Sequence, residues 1–307
     1  MPSAAAPPHA APQYLDPAVL QQIGPLDLIA RQVVEGVRVG MHRSPLHGFS
    51  TEFAQHRQYV PGDDIRRLDW RVYARASRYY VKLFEAETNF TANLLLDASS
   101  SMHYRSGAVS KIDYAKYLAA SLAWLIVDQH DSVGLAVFDG ELRAHLPPKG
   151  SLGVINDIAT ELARIQPQPR TDIAAILHQF ANRMARRGVA ILFSDLFDHV
   201  DQFLDGLGHL RFRGHNVIVF HVLDHDELTF PLHGTWKLKG MENDGEIITQ
   251  PQRVRASYLA ALDRFLTRIK SACAQQNVDY VLADTSRPVA EVLLEFLAAR
   301  THGPVRV

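Results

Sequence analysis

The sequence predicts an α/β fold built on a doubly wound, mainly parallel sheet with one antiparallel edge strand. Three observations predict it. From residue 89 to the end of the 307-residue chain, apolar runs of strand length alternate with longer segments at helical spacing. That order suits parallel strands joined by helical crossovers. The central runs, Leu94-Leu95-Leu96 and residues 188–195, are apolar almost throughout, as expected of strands covered on both faces. Asp139-Gly140 is a two-residue hairpin signal between strand-like runs and turns one strand antiparallel.

The elements follow in order. Residues 1–13 are rich in Ala and Pro, lack a basic start followed by an apolar run, and read as a disordered tail rather than a secretory leader. Residues 14–88 form a small mixed α/β segment expected to pack on the main domain. There Pro61-Gly62 suits a type II turn, and Asp63 or Asp64 caps a short helix striped by Ile65, Leu68 and Val72. Residues 79–84 read as a short strand. The main domain, residues 89–307, opens with a strand over 90–97. Ser110, with Asp113 three residues on, caps a helix over 110–129 that is apolar nearly all round and therefore buried. A strand over 132–138 returns through 141–146. Helices over 151–165 and 171–186 lead to the strand at 188–195. A helix near 199–212 then leads to the strand at 215–223. Residues 233–250 read as a hairpin turning at Asn243-Asp244-Gly245. The long amphipathic helix that follows carries Tyr258, Leu262, Phe265, Ile269 and Cys273 at helical spacing. A strand over 278–283 and a helix over 288–300 complete the domain.

Bulk composition excludes several classes. Net charge is −1 at pH 7, so the chain as a whole is not built to bind a polyanion. No segment approaches the ~18 apolar residues of a membrane span. The lone cysteine, Cys273, rules out an intramolecular disulfide and argues against a cysteine zinc site, which leads to the expectation of a reducing, cytoplasmic setting. His221 and His225 stand four apart, but a strand end separates them, so they do not share a helical face. His42 and His47 lie in a polar loop. Neither a G-x-S-x-G nucleophile elbow, nor a phosphate-binding Gly loop, nor a dinucleotide fingerprint occurs.

The chemistry concentrates at the exit of the first core strand, where Asp97, Ser99 and Ser101 spell D-x-S-x-S. Alternate residues of an extended chain project to one side, so these three side chains converge if the chain turns there. A carboxylate with two neutral hydroxyls is a hard oxygen site, suited to Mg²⁺ or Mn²⁺ and not to zinc. Ligands of doubly wound sheets sit beyond the carboxyl ends of the strands where strand order reverses. The strands at 90–97 and 188–195 flank that point and end in Asp97 and Asp195. Thr171, which starts a helix, offers a further hydroxyl. Asp97, Ser99, Ser101, Thr171 and Asp195 together resemble the metal-ion-dependent adhesion site of von Willebrand factor A domains. The resemblance implies direct ligation by Ser99 and Ser101, with Thr171 ligating directly or through water. Asp97 and Asp195 would supply charge at least partly through water, and a partner's carboxylate would fill the open position. The plain structural reading is a strand-end Asp with turn hydroxyls, and a helix cap at Thr171.

The amino-terminal segment carries a second pattern: Phe53, Arg57, Tyr59, Pro61-Gly62-Asp63-Asp64, Arg66, Asp69-Trp70 and Ala74-Arg75. Followed by the D-x-S-x-S strand, it resembles the domain of unknown function 58 family over about residues 40–222. The resemblance implies a von Willebrand factor A-like domain and a MoxR-type AAA+ ATPase as partner, with an unknown client. Residues 57–88 mix Arg and Tyr in a way that suggests nucleic-acid contact, yet Asp63, Asp64, Asp69, Glu85 and Glu87 nearly balance the cations. An Arg–Asp network holding the segment to the main domain is the favoured reading, with Arg57 pairing Asp63 or Asp69. The expected function is therefore a metal-dependent protein-interaction module rather than an enzyme. The alternatives are a Mg²⁺-dependent phosphoester hydrolase using Asp97 and Asp195, or nucleic-acid binding through the Arg/Tyr segment. Phosphatases with an Asp nucleophile want a second carboxylate two residues on, where Ser99 stands here.

Overall fold

The computed structural model describes residues 91–165, 173–184, 188–197, 200–239 and 245–302. It also describes residues 56–58 and 79–82, and helical backbone at 26, 29–31, 33, 34 and 37. In chain order, β1 (His56–Gln58) pairs antiparallel with β2 (Tyr80–Lys82), with Arg57 opposite Val81. The chain continues through β3 (Thr91–Asp97), α1 (Lys111–Asp128), β4 (Ser132–Phe138), β5 (Leu142–Lys149), α2 (Gly153–Ala163) and α3 (Ile173–Arg183). It goes on through β6 (Val189–Ser194), α4 (Val200–Phe212), β7 (Asn216–Leu223), α5 (His225–Thr229), β8 (Trp236–Lys239) and β9 (Glu246–Thr249). The last elements are α6 (Pro251–Gln275), β10 (Asp279–Asp284) and α7 (Val289–His302).

Six strands make one sheet in the order β10-β7-β6-β3-β4-β5, parallel throughout except for β5. The chain winds outward from β3 to β5, then returns to β6 on the other side of β3. The strand order therefore reverses between β3 and β6, the crevice where such sheets bind ligands.

Side chains alternate across each strand, and the two faces bury separate cores. Leu94 and Leu96 face α1, α2 and α7, where Ile29, Ala30, Val33 and Val37 also pack. Leu95 faces α3, α4 and α6, where Cys273 is buried. Helix α1 starts as its sequence requires. The Ser110 hydroxyl accepts the Asp113 N–H at 3.2 Å and donates to the Asp113 carboxylate at 2.7 Å.

Two details depart from expectation, the β4–β5 connection and helix α5, while the hairpin expected over 233–250 is present. Phe138 pairs with Leu142, so Asp139, Gly140 and Glu141 form a three-residue connection and not a two-residue turn. The Asp139 carboxylate closes it by accepting the Glu141 N–H at 3.1 Å and Arg143 Nε at 2.7 Å. The hairpin β8–β9 stands as its own two-stranded sheet. Helix α5 is an addition: Asp224 accepts the Asp226 N–H, and Glu227 reaches back to the Asp224 N–H in a capping box.

Candidate functional site

Strands β3 and β6 end side by side, with Leu96 opposite Phe193 and Ser194 next along. Neighbouring strands lie about 4.8 Å apart, and the side chains at their tips meet. Asp97 is buried, and both of its carboxylate oxygens are engaged. Oδ1 accepts the Ser99 N–H at 2.9 Å, and Oδ2 accepts the Ser194 hydroxyl at 2.6 Å. The chain then turns through a short 3-10 segment, Ser101–His103. That turn brings the Ser99 and Ser101 hydroxyls within 3.0 Å of each other. Burial pushes the Asp97 carboxyl up to about 7, and the nearby charge of Asp195 adds to the push.

At the tip of β6, Leu196 adopts a left-handed backbone with φ 56°. Its N–H donates to the Ser194 hydroxyl at 3.0 Å, so one serine holds both this turn and Asp97. A β-branched or bulky residue in this region of backbone space carries strain that the surroundings must hold. Asp195 also has both oxygens engaged. Oδ1 accepts the Phe197 N–H at 3.3 Å, and Oδ2 accepts Lys111 Nζ at 2.7 Å. His221 supports the turn from beneath. Its Nδ1 and Nε2 lie 2.8 Å from the Tyr280 hydroxyl and the Asp195 carbonyl. A carbonyl only accepts, so Nε2 carries the proton and Nδ1 accepts from tyrosine. Burial holds the His221 imidazole down at about 4, so it is neutral at pH 7.

Lys111 is the residue that sequence reasoning missed. It is the first residue of α1 and is 0% exposed. Its ammonium bridges Asp195 and Glu227, the latter at 2.8 Å. Burial works against the charge, but Asp195 and Glu227 outweigh it and raise the lysine above its usual value. A signal existed. A lysine in the first turn of a helix sits against the helix dipole, and a cation there on a largely buried helix calls for a buried anion. Ser194 and the α5 cap were equally unremarked. Asp224 of that cap accepts the Ser106 hydroxyl and the Ser106 N–H, the second at 3.0 Å.

Of the expected site residues, Asp97, Ser99, Ser101 and Asp195 come together at one edge of the sheet. Thr171 lies outside the described residues. So do Tyr59, Gly62, Asp63, Asp64, Arg66, Asp69, Trp70 and Arg75, and only the backbone of Arg57 is described. His221 and His225 go separate ways, since His225 pairs with Asp284 at 3.0 Å. Among the described residues no three His, Cys, Asp or Glu side chains are grouped to hold a metal. Any cation site here therefore depends on the serine hydroxyls. The donor set fits a hard divalent ion on that basis: two neutral oxygens 3.0 Å apart, beside the Asp97 carboxylate that Ser99 also bonds, with Asp195 near enough to raise that carboxyl. A separate groove of about 590 Å³ runs between β5 and α3, past Arg143, His145 and Arg183, and does not reach these residues.

Comparison with known proteins gives the context. Residues 55–265 match the family described as "Protein of unknown function DUF58". An uncharacterized protein of Mycobacterium tuberculosis is 26% identical over 231 residues, which is 74% of this chain and 72% of that one. Among solved structures, an aerotolerance-related membrane protein from Bacteroides fragilis has a TM-score of 0.47 at 18% identity, covering 68% of this chain and 99% of the other. The conserved hypothetical protein BatB from Bacteroides thetaiotaomicron has a TM-score of 0.46 at 19% identity, covering 70% and 100%. The SpRpn10 VWA domain has a TM-score of 0.41 at 12% identity, covering 67% and 94%. The cytoplasmic setting inferred from the lone cysteine is corrected here. Cysteine usage reports redox conditions and not attachment, so it does not fix a cytoplasmic setting, and the similar Bacteroides fragilis structure is named as that of a membrane protein. No helix among the described residues is long and apolar enough to cross a membrane.

Proposed function

This chain belongs to the DUF58 family and has a von Willebrand factor A-like fold, and from that premise we propose a protein-interaction module that engages a partner's carboxylate through Mg²⁺ or Mn²⁺ at the carboxyl edge of its sheet. The observation that carries the reading is the hydroxyl pair of Ser99 and Ser101 beside the Asp97 carboxylate, with Asp195 close to Asp97 at the tip of the next strand. Ser99 and Ser101 would hold the ion, with Thr171 as a further hydroxyl. Asp97 and Asp195 would supply charge through water. The ion, when bound, supplies a Lewis-acidic position able to take an incoming carboxylate.

The rest is the work of the chain's own side chains. Ser194 and the Ser99 amide fix Asp97, and the Leu196 turn aims Asp195 at the same edge. Asp195 and Glu227 set two carboxylates on the Lys111 ammonium, and Asp97 stands close enough to Asp195 for the two to repel, a repulsion that a bound cation would relieve. The Ser99 hydroxyl bonds the Ser101 hydroxyl at 3.0 Å and the Asp97 carboxylate, so it is held within the turn. Binding without turnover is the reading.

The partner class follows the family resemblance: a MoxR-type AAA+ ATPase, with this chain as an adaptor toward a client. The test is capture of the purified ATPase by wild type and Ser99→Ala, each in Mg²⁺ and in EDTA. Capture by wild type in Mg²⁺, lost in EDTA and lost in Ser99→Ala, is expected. Equal capture in all four arms removes the metal from the reading. Absence of capture in every arm removes the partner.

A further inference from the structure

Lys111 is a buried cation placed against the rule for helix ends, and its partners are defined. An ammonium taken out of water costs several kcal/mol unless it is paired and hydrogen-bonded. Lys111 Nζ lies 2.7 Å from Asp195 Oδ2 and 2.8 Å from Glu227 Oε1, with the Phe197 ring centroid 5.0 Å away and that of Tyr104 5.9 Å away. Glu227 is itself fixed, because its second oxygen accepts the Asp224 N–H at 2.8 Å. The ammonium thus covers one oxygen of Asp195 from the side of α1 and α5, and the Phe197 N–H covers the other at 3.3 Å.

Building on the proposed cation site, we infer that Lys111 is a positioning residue for it: an internal cation that keeps Asp195 from ligating a divalent ion directly. It neutralises part of the charge that would otherwise hold the ion. Asp195 is left as a carboxylate that acts through water, and the ion stays electron-poor toward a partner's carboxylate. A divalent ion is then held weakly by this chain alone and firmly only once the partner adds its own oxygen.

This differs in sign from an ordinary structural ion pair. If Lys111 only braced the Asp195 turn, its removal would loosen the turn and weaken cation binding. If it restrains Asp195, its removal frees one carboxylate oxygen, deletes the positive charge that pairs with it at 2.7 Å, and strengthens binding.

The test uses Mn²⁺ alone as the probe. It compares wild type, Lys111→Met, and Lys111→Met with Glu227→Gln, the last relieving the carboxylate that the first change leaves buried and unpaired. Mn²⁺ affinity is read by calorimetry, and the water molecules remaining on the ion by proton relaxation. Both variants are expected to bind Mn²⁺ more tightly than wild type, by on the order of tenfold or more. They are also expected to leave fewer waters on it, because Asp195 enters the coordination sphere. Equal or weaker binding in variants that fold, beside measurable binding by wild type, overturns the role of Lys111 and leaves the cation site standing. Absence of Mn²⁺ binding in all three proteins overturns the site and this inference together. If both variants are unfolded in EDTA and Mn²⁺ does not restore them, the inference also falls, since a freed Asp195 should recruit the ion.

Discussion

Lowering the pH from 7 to 5 should cost this protein about 2 kcal/mol through His221 alone. The imidazole is fully buried between Tyr280 and the Asp195 carbonyl, and burial holds it down at about 4. In the unfolded chain it titrates near 6.5. Between those values the unfolded chain binds a proton that the fold refuses. Stability is therefore unaffected well above pH 6.5, falls as pH drops below it, and stops falling below about 4. With these two values, linkage at pH 5 amounts to about 2 kcal/mol relative to pH 7. His221→Gln removes the titration while retaining an N–H for the Asp195 carbonyl and an oxygen for the Tyr280 hydroxyl. Urea unfolding of both proteins in a chelator, at pH 7 and pH 5, isolates the effect from other titrating groups. Wild type should lose about 2 kcal/mol more than the variant across that interval, with unchanged dependence on urea. Parallel losses in the two proteins would refute the reasoning, because a histidine that shares its proton equally between folded and unfolded states has no such linkage.

Further outcomes follow from the same packing. Ser194→Ala strips a 2.6 Å hydrogen bond from the buried Asp97 and leaves the Leu196 N–H without its acceptor. It should cost about 2–4 kcal/mol in urea unfolding, and a cost below ~1 kcal/mol would mean the serine is not the link between the two strand ends. Gly188→Ala would place a Cβ 2.5 Å from the Thr91 carbonyl oxygen, a backbone atom that moves only if β3 and β6 part. A loss of about 1–3 kcal/mol is expected, read as a lower Tm, and an unchanged Tm would contradict that close approach. Cys273 is fully buried and burial pushes its thiol up to about 11. A thiol reagent at pH 8 should label it only after unfolding, and rapid labelling of the native protein would show that the α6 face is open.

Much of the fold was legible because the β3 and β6 runs are apolar at consecutive positions and can only be strands covered on both sides. Helix α1 was legible from its Ser110 cap and its all-round apolarity. The three-residue connection after Phe138 was not, because the Asp139 carboxylate, rather than the Asp139-Gly140 backbone, closes the loop. Helix α5 was missed although its Asp224 and Glu227 cap has the right spacing. Five residues carry too little periodicity to be seen.

The site divides in the same way. By itself the sequence determined that Asp97, Ser99 and Ser101 share one side of an extended chain, since a two-residue period is a property of the local backbone. It also determined that an aspartate stands at the end of β3 and another just past the end of β6. Only the tertiary structure decided that Lys111, which follows Asp97 by fourteen residues, and Glu227, on the far side of β7, meet at Asp195. Such a meeting depends on how helices cross the sheet and on which buried charges find partners there. Both are long-range terms that no local spacing encodes.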